Sequence, residues 1–232
     1  TALFVSLTTR PRSRARTGAF TKDTGSSTTQ NFITVTDNRA SDEACPNVNT
    51  VGNFDAFLDP TEVITCTAAH LPAIQAIYND AILNSTSLYE YAPRTDEVMR
   101  EWFAERQRGD IPVLGIEWEP GVLAGFATWG AFRPRAAYKY SIEHSVYVDE
   151  RFRGEGVGRQ LLQAIISAAK KRDIHMIIAG IDATNVASVA LHSSLGFRCC
   201  GTVREAGFKF GRWLDLEFWQ LLLPTPATPT DG

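Results

Sequence analysis

Closely spaced cysteines and long hydrophobic runs are both missing from this chain of 232 residues. It has four cysteines, and none of them stands in the C-x-x-C spacing of zinc sites and thioredoxin-like redox motifs. No apolar run reaches the roughly 18–20 residues needed to span a bilayer. We therefore expect reduced thiols, no metal ion and no membrane partner.

Acidic residues are absent from the first 22 positions, which hold five Lys and Arg side chains. The whole chain has a net charge of −3. Without this stretch, 18 basic residues stand against 26 acidic ones, which gives a net charge of −8. A body with that excess of negative charge repels a phosphate backbone, so we expect no nucleic-acid partner.

Residues 1–61 are rich in Thr, Ser, Asn and Arg and show no sustained hydrophobic periodicity. This composition predicts a disordered extension. Because its start is arginine-rich and acid-free, a mitochondrial transit peptide is the alternative to a plain tail on a cytoplasmic protein. Residues 62–223 are then one folded domain, and 224–232 ("PTPATPTDG") are a Pro/Thr tail.

Hydrophobic periodicity predicts a dense series of elements after residue 61. Strands are expected at 62–67, at 140–148, at 174–182, at 212–223 and on both sides of the Pro120–Gly121 turn, and helices at 70–83, at 95–109, after residue 156 and at 185–196. In the helix 95–109, Val98, Met99, Trp102 and Phe103 are expected to face inward. Antiparallel strands followed by a βαβ unit predict an α/β (α+β) fold with helices covering the sheet.

Three glycines in "RFRGEGVGRQ" separate a predicted strand from a predicted helix. Their spacing does not match the G-x-G-x-x-G of dinucleotide-binding folds, and no Gly-Lys-Ser/Thr follows. The exposed N–H groups of a helix N-terminus attract anions, and Arg153 and Arg159 flank this one. The stretch predicts a diphosphate site, and a turn that binds nothing is the alternative.

The stretch "RGEGVG" resembles the R-x-x-G-x-G/A signature of the GNAT acyltransferases. Further blocks, among them "FRPRAAYKYSIEHSVYV", "AGIDATNVASVALHSSLGF" and "GFKFGRWLDLEFWQL", are similar to the phosphinothricin N-acetyltransferase branch. The resemblance runs from about residue 62 to 223. It implies a mixed, mostly antiparallel sheet flanked by helices. It also implies an enzyme that transfers acetyl from acetyl-coenzyme A directly to the α-amine of a small amino acid or analogue, such as phosphinothricin, methionine sulfone or methionine sulfoximine.

The resemblance also implies a set of cofactor contacts. These are Val146, Tyr147, Val148, Arg153, Gly154, Glu155, Gly156, Val157, Gly158, Arg159 and Asn185. The strand residues would bond the pantetheine arm, and the loop residues would bond the diphosphate. Asn185 is equally well placed to cap the next helix.

Two residues are candidates for moving protons. An ammonium group must lose a proton before it can attack a thioester, and a positioned carboxylate or imidazole can accept that proton. Glu143 matches a catalytic glutamate of the branch, and a structural ion pair is its alternative. His192 stands where many members have a general-acid tyrosine, and simple packing against the sheet is its alternative.

The implied substrate pocket combines a loop, a strand and an aromatic wall. Its residues are Tyr89, Arg133, Arg135, Tyr138, His144 and Ser145. Arginine forks suit carboxylate, phosphinate or sulfone oxygens. The block "KFGRWLDL" is predicted as scaffold or interface of a homodimer. A peptide or protein N-terminal acetyltransferase, or a catalytically silent acyl-coenzyme A sensor, are the competing hypotheses.

Overall fold

The computed structural model describes residues 62–231. The predicted extension 1–61 therefore lies outside the described residues. Within the described part the elements are β1 (Val63–Thr65), α1 (Leu71–Asn84), α2 (Asp96–Arg108), β2 (Leu114–Glu119), β3 (Val122–Ala131), β4 (Ser141–Val148), α3 (Val157–Lys171), β5 (Met176–Asp182), α4 (Val186–Ser194), β6 (Arg198–Lys209) and β7 (Arg212–Leu222). The predicted fold class is confirmed.

The strands form one seven-stranded sheet in the order β1-β2-β3-β4-β5-β7-β6. Every neighbouring pair is antiparallel except β4 and β5, which are parallel and joined through α3. That parallel pairing is short, because it joins only Ser141–Glu143 to Met176–Ile178. Beyond it β4 stays paired with β3, and β5 stays paired with β7. The sheet therefore opens between the carboxyl ends of its two central strands.

Each face of the sheet carries its own hydrophobic core. One core, on the α3 side, includes Ile142, Leu161 and Ile177, and the other, under α1 and α2, includes Phe126 and Tyr147. Ile142 and Tyr147 on β4 thus point to opposite faces, as strand alternation predicts. The opening between β4 and β5 therefore lies between the two hydrophobic cores.

The sequence patterns locate α1 and α2 correctly but misjudge one side chain. Ile74, Ile77 and Tyr78 form the predicted buried stripe of α1. Thr95 caps α2, since its hydroxyl accepts a hydrogen bond from the N–H of Val98 at 3.4 Å. The prediction that Val98 faces inward is wrong, because its side chain is 51% exposed. The buried face of α2 is therefore narrower than expected.

Strand β6 was not predicted. Its sequence "RCCGTVREAGFK" lacks alternation, and most of its residues are exposed or half-buried because it lies at the sheet edge. Its register with β7 shifts at Cys199/Gly201 and at Val203/Gly207. An irregular, solvent-facing edge strand gives little periodic signal, so pairing with β7 defines it instead.

Two further expectations are tested by the described residues. Cys66 and Cys200 have free thiols, whereas Cys199 is disulfide-bonded, so the expectation of reduced thiols is wrong at Cys199. Between residues 62 and 231 no helix combines the length and the apolar composition that crossing a bilayer requires.

Candidate active site

A cavity of about 440 Å³ occupies the opening between β4 and β5. Its walls are the carboxyl half of β4, the glycine loop before α3, the end of β5 and the first turns of α4. Among its lining residues are Val146, Tyr147, Val148, Arg153, Gly154, Gly156, Gly158, Arg159, Asn185, His144, Ser145 and His192. Most of the residues predicted to contact cofactor therefore meet in one place. Glu155 and Val157 do not line the cavity.

The glycine loop has the backbone conformation that its sequence predicts. Gly154 and Gly156 have φ values of +88° and +82°, in the left-handed region that other residues enter only at a cost. Gly156 is the N-cap of α3, and the next residue, Val157, is buried in the core. The loop thus turns sharply and directs the first N–H groups of a 15-residue helix toward the cavity. This is an anion-binding arrangement.

The two flanking arginines have weak attachments of their own. Arg153 lies 3.3 Å from Asp80 Oδ2, and Arg159 donates to Ser194 Oγ at 2.9 Å. An exposed ion pair contributes only about 0–1 kcal/mol and a hydrogen bond about 0.5–1.5 kcal/mol, so both guanidinium groups can be recruited by an anion. Their positions at the rim agree with a diphosphate at the start of α3.

Asn185 serves as a helix cap and also borders the cavity. Its Oδ1 accepts a hydrogen bond from the N–H of Ser188 at 3.1 Å. The residue lines the cavity as well, so the two predicted roles are compatible.

Glu143 lies at the closed end of the opening. It is half-buried and forms the last β4–β5 pair, opposite Ile178. A side chain on Gly180 would place its Cβ 3.3 Å from Glu143 Oε1, so the glycine leaves room for the carboxylate. Glu143 does not line the cavity itself, but the next two residues, His144 and Ser145, do.

His144 and His192 contact each other, although 48 positions separate them. Their Nε2 atoms are 3.1 Å apart, and both side chains are buried. Burial lowers the pKa of both imidazoles, most strongly that of His144. Sequence reasoning placed His144 in the substrate pocket and His192 in proton transfer, and did not predict that they touch.

A second cavity of about 610 Å³ adjoins the first along β4. It shares Ser87, Val146, Tyr147 and Asn185 with the first and adds Thr86, Phe210 and Arg212. Arg212 was predicted as scaffold or interface, yet it lines this cavity. No signal in the sequence indicated this role, because β6 was not predicted and nothing in the local sequence shows what the β6–β7 turn faces.

Arg212 is held beside a buried carboxylate. Its NH2 group lies 3.7 Å from Asp182 Oδ2 and 3.3 Å from Thr184 Oγ1. Burial disfavours the Asp182 carboxylate, but hydrogen bonds from Thr86 and Thr184 and the charge of Arg212 outweigh it and lower its pKa. The Arg212 side chain is still 49% exposed, so it can bind a second anion.

The other predicted substrate residues lie outside both cavities. Arg133 and Tyr138 are exposed and pack on Phe132, with the guanidinium carbon of Arg133 4.3 Å from that ring centre. Arg135 is exposed in the same loop. Tyr89 packs over Gly207, and burial with nearby Asp182 and Asp215 raises its pKa to about 12. Their assignment to substrate binding stays a prediction.

Between residues 62 and 231, no three His, Cys, Asp or Glu side chains lie close enough to hold an ion.

Comparison with known proteins identifies the family. Residues 65–218 match the family model described as "Acetyltransferase (GNAT) domain". The chain therefore belongs to the GNAT acetyltransferases and is an acyltransferase. An L-methionine sulfoximine/L-methionine sulfone acetyltransferase of Pseudomonas aeruginosa is 43% identical over 69% of this chain and 94% of its own.

Two solved structures have the same fold. A phosphinothricin acetyltransferase from Sinorhizobium meliloti, in complex with acetyl-coenzyme A, is 35% identical with a TM-score of 0.70 and covers 74% of this chain and 94% of its own. A ribosomal-protein-alanine N-acetyltransferase from Brucella melitensis is 45% identical with a TM-score of 0.68, and covers 70% of this chain and 99% of its own.

Proposed function

We propose that this enzyme acetylates the α-amine of a small amino acid or analogue of the methionine sulfoximine, methionine sulfone or phosphinothricin type. Acetyl-coenzyme A is the donor. The observation that carries the proposal is the opening between β4 and β5, with the glycine loop at one end and Glu143 at the other. The names of the similar proteins support the substrate class.

The groups that line the first cavity match the chemistry of acetyl-coenzyme A, the acetyl donor. The N-terminus of α3 with Arg153 and Arg159 suits the diphosphate. The β4 edge from Val146 to Val148 has no strand partner on the β5 side, so its backbone groups can bond an extended pantetheine chain. These residues bring the thioester to the end of the opening that Glu143 closes.

The amino-acid substrate, which accepts the acetyl group, fits the second cavity. Arg212 supplies a cation for a carboxylate there, and Thr86 and Ser87 supply polar contacts. Glu143 would take one proton from the substrate ammonium, directly or through water, so that the free amine can attack the acetyl carbon. His192 would assist the later proton transfer. Direct transfer requires both substrates to be bound together.

We also propose that two copies of the chain assemble through the β6–β7 turn. Four aromatic residues are exposed around it: Tyr91 at 72%, Phe208 at 46%, Phe210 at 57% and Trp213 at 59%. Such a patch on a soluble surface favours a partner. Sedimentation should give a dimer for the wild type and a monomer for Phe208→Ser/Trp213→Ser, and a monomeric wild type would refute the proposal.

A cytoplasmic location is proposed for the enzyme. The competing outcome is import into mitochondria directed by the arginine-rich start. Microscopy of fluorescent fusions of residues 1–232 and 62–232 distinguishes the two, because only the longer fusion would be imported.

The test of function is a thiol-release assay with acetyl-coenzyme A and a panel of amines. The panel holds phosphinothricin, methionine sulfone, methionine sulfoximine, ordinary amino acids, polyamines and peptides with a free N-terminus. We expect turnover on the amino-acid analogues. Activity on peptides alone would leave the fold assignment unchanged but would show that the substrates are peptides and not small amino acids. Tight binding of acetyl-coenzyme A without turnover would favour an acyl-coenzyme A sensor.

A further inference from the structure

Lys209 is a buried lysine that joins two segments far apart in the chain. It is the last residue of β6, beside the β6–β7 turn, and it is only 4% exposed. Its Nζ donates hydrogen bonds to the carbonyl oxygens of Ser85 at 2.7 Å and of Leu88 at 2.6 Å. These two acceptors lie 124 and 121 positions earlier in the sequence.

The segment that accepts these bonds, residues 85–88, directly follows α1. Ser85 is the C-cap of α1, and the last turn of this helix contains no basic residue. Carbonyl groups at the end of a helix carry partial negative charge and attract a cation. Lys209 supplies that cation from β6. Since a buried ammonium group is costly unless it is hydrogen-bonded, the two carbonyl groups and Lys209 fix each other in place.

The same ammonium group also contacts the β6–β7 turn. Lys209 Nζ lies 5.0 Å from the centre of the Phe210 ring, within the range of a cation–π attraction. A further bond joins the two parts of the chain nearby, because the Tyr91 hydroxyl donates to the carbonyl oxygen of Phe208 at 2.6 Å. Lys209 therefore connects the 85–88 segment to the β6–β7 turn.

Both of these parts of the chain are walls of the second cavity. Lys209 is not among the residues that line it, so its influence on a bound molecule passes through its neighbours. The residues that line the cavity and belong to the two connected parts are Ser85, Thr86, Ser87, Phe210 and Arg212.

We propose that Lys209 is a positioning residue that sets the spacing of these two walls, and with it the fit of the amino-acid substrate. The inference rests on the proposed function, because that function assigns the second cavity to the amino acid. The hydrogen bonds and the ring contact of Lys209 go neither to the glycine loop nor to β4, which are assigned to acetyl-coenzyme A. Removing the ammonium group should therefore affect the acceptor and spare the donor.

The first test measures the connection between the two walls and needs no turnover. Hydrogen–deuterium exchange, followed by mass spectrometry, would compare the wild type with Lys209→Met, which keeps a long side chain but has no donor. We expect peptides that cover residues 85–91 to exchange at least about fivefold faster in the variant, with peptides of α3 unchanged. Unchanged exchange over residues 85–91 would overturn the proposal, whatever the enzyme acetylates.

The second test is kinetic. Lys209→Met should raise the KM for methionine sulfone about tenfold or more, with the KM for acetyl-coenzyme A within about twofold. The value of kcat at saturating methionine sulfone should fall by less than about threefold, because Glu143 and the donor site stay in place. An unchanged KM for methionine sulfone in an active variant would refute the role of Lys209.

The control separates positioning from a general loss of stability. Ile165 is fully buried in the core on the α3 side and lines neither cavity. Ile165→Val or Ile165→Ala, whichever matches the urea midpoint of Lys209→Met, should keep both KM values within about twofold of the wild type. A rise in the KM for methionine sulfone equal to that of Lys209→Met would refute the proposal.

The outcomes also separate this inference from the proposed function. An active wild type and a Lys209→Met variant with the same KM for the amino acid refute the inference and leave the function standing. A wild type that acetylates none of the amines refutes the function, and the exchange measurement then decides whether Lys209 connects the two walls. Should Lys209→Met fail to fold, Lys209→Gln is judged by the same criteria, because its shorter, uncharged side chain cannot reach both carbonyl oxygens.

Discussion

Glu143 and Ile178 form the last pair between β4 and β5, and the sheet opens directly beyond them. The opening places a carboxylate at its apex and leaves the β4 edge free for a donor. Gly180, two residues after Ile178, makes the space for that carboxylate. A Cβ atom added at Gly180 would lie 3.3 Å from Glu143 Oε1 and 3.4 Å from a Leu216 methyl.

Gly180→Ala should therefore separate activity from stability. Alanine in a strand stabilises by about 0.5–1 kcal/mol relative to glycine, and the flexible carboxylate can move away. Moving it displaces the base, so we expect kcat to fall about tenfold while the urea midpoint stays equal or rises. An unchanged kcat would show that the position of the Glu143 carboxylate is unimportant.

Gly156 in the glycine loop and Gly121 in the β2–β3 turn offer a matched pair of glycines with the same backbone conformation. Gly156 has φ +82°, so Gly156→Ala should cost about 1–2 kcal/mol and turn the first N–H groups of α3 away from an anion. Its affinity for acetyl-coenzyme A, measured by calorimetry, should fall at least about tenfold. Gly121→Ala is the control, because Gly121 has the same φ of +82° but lies in the β2–β3 turn, outside the lining of both cavities. Equal losses in the two variants would argue against a role for loop geometry.

Arg212 and Arg133 can be compared as carboxylate-binding residues. Arg212 lines the second cavity, whereas Arg133 packs on Phe132 outside both cavities. Arg212→Gln should raise the KM for an amino-acid substrate about tenfold or more and leave the KM for acetyl-coenzyme A unchanged. Arg133→Gln should have a smaller effect. A larger rise in this KM for Arg133→Gln than for Arg212→Gln would place the substrate site at the loop around Arg133, as the sequence predicted.

The buried histidines should make the protein less stable in mild acid. Their pKa values are lowered by burial, so below about pH 6.5 the unfolded chain binds protons that the folded chain does not. Stability then rises with pH, by about 1.4 kcal/mol per pH unit for each proton. Urea unfolding from pH 7.5 to pH 5 should show this loss, and His144→Leu should reduce the slope. An identical slope in that variant would mean that His144 is not a buried neutral group.

Local patterns were enough to predict much of this structure. Residues close together in the chain determine three of its features: the glycine loop, the alternation of β4 and the buried stripe of α1. The contact of His144 with His192 and the place of Arg212 are not, because they depend on how distant segments pack. Strand β6 was not predicted for a related reason. An exposed edge strand is determined mainly by its pairing with the neighbouring strand, here β7.

The most direct test of the account uses Glu143→Gln. Acetyl-coenzyme A affinity and turnover on methionine sulfone would be measured on one preparation. Glutamine preserves the shape of the side chain and removes its basicity, so the dissociation constant should stay within about twofold. The value of kcat should fall by about 10²–10⁴-fold. A variant that keeps wild-type turnover would contradict the assignment of Glu143 as the base and, with it, the chemistry proposed for this opening.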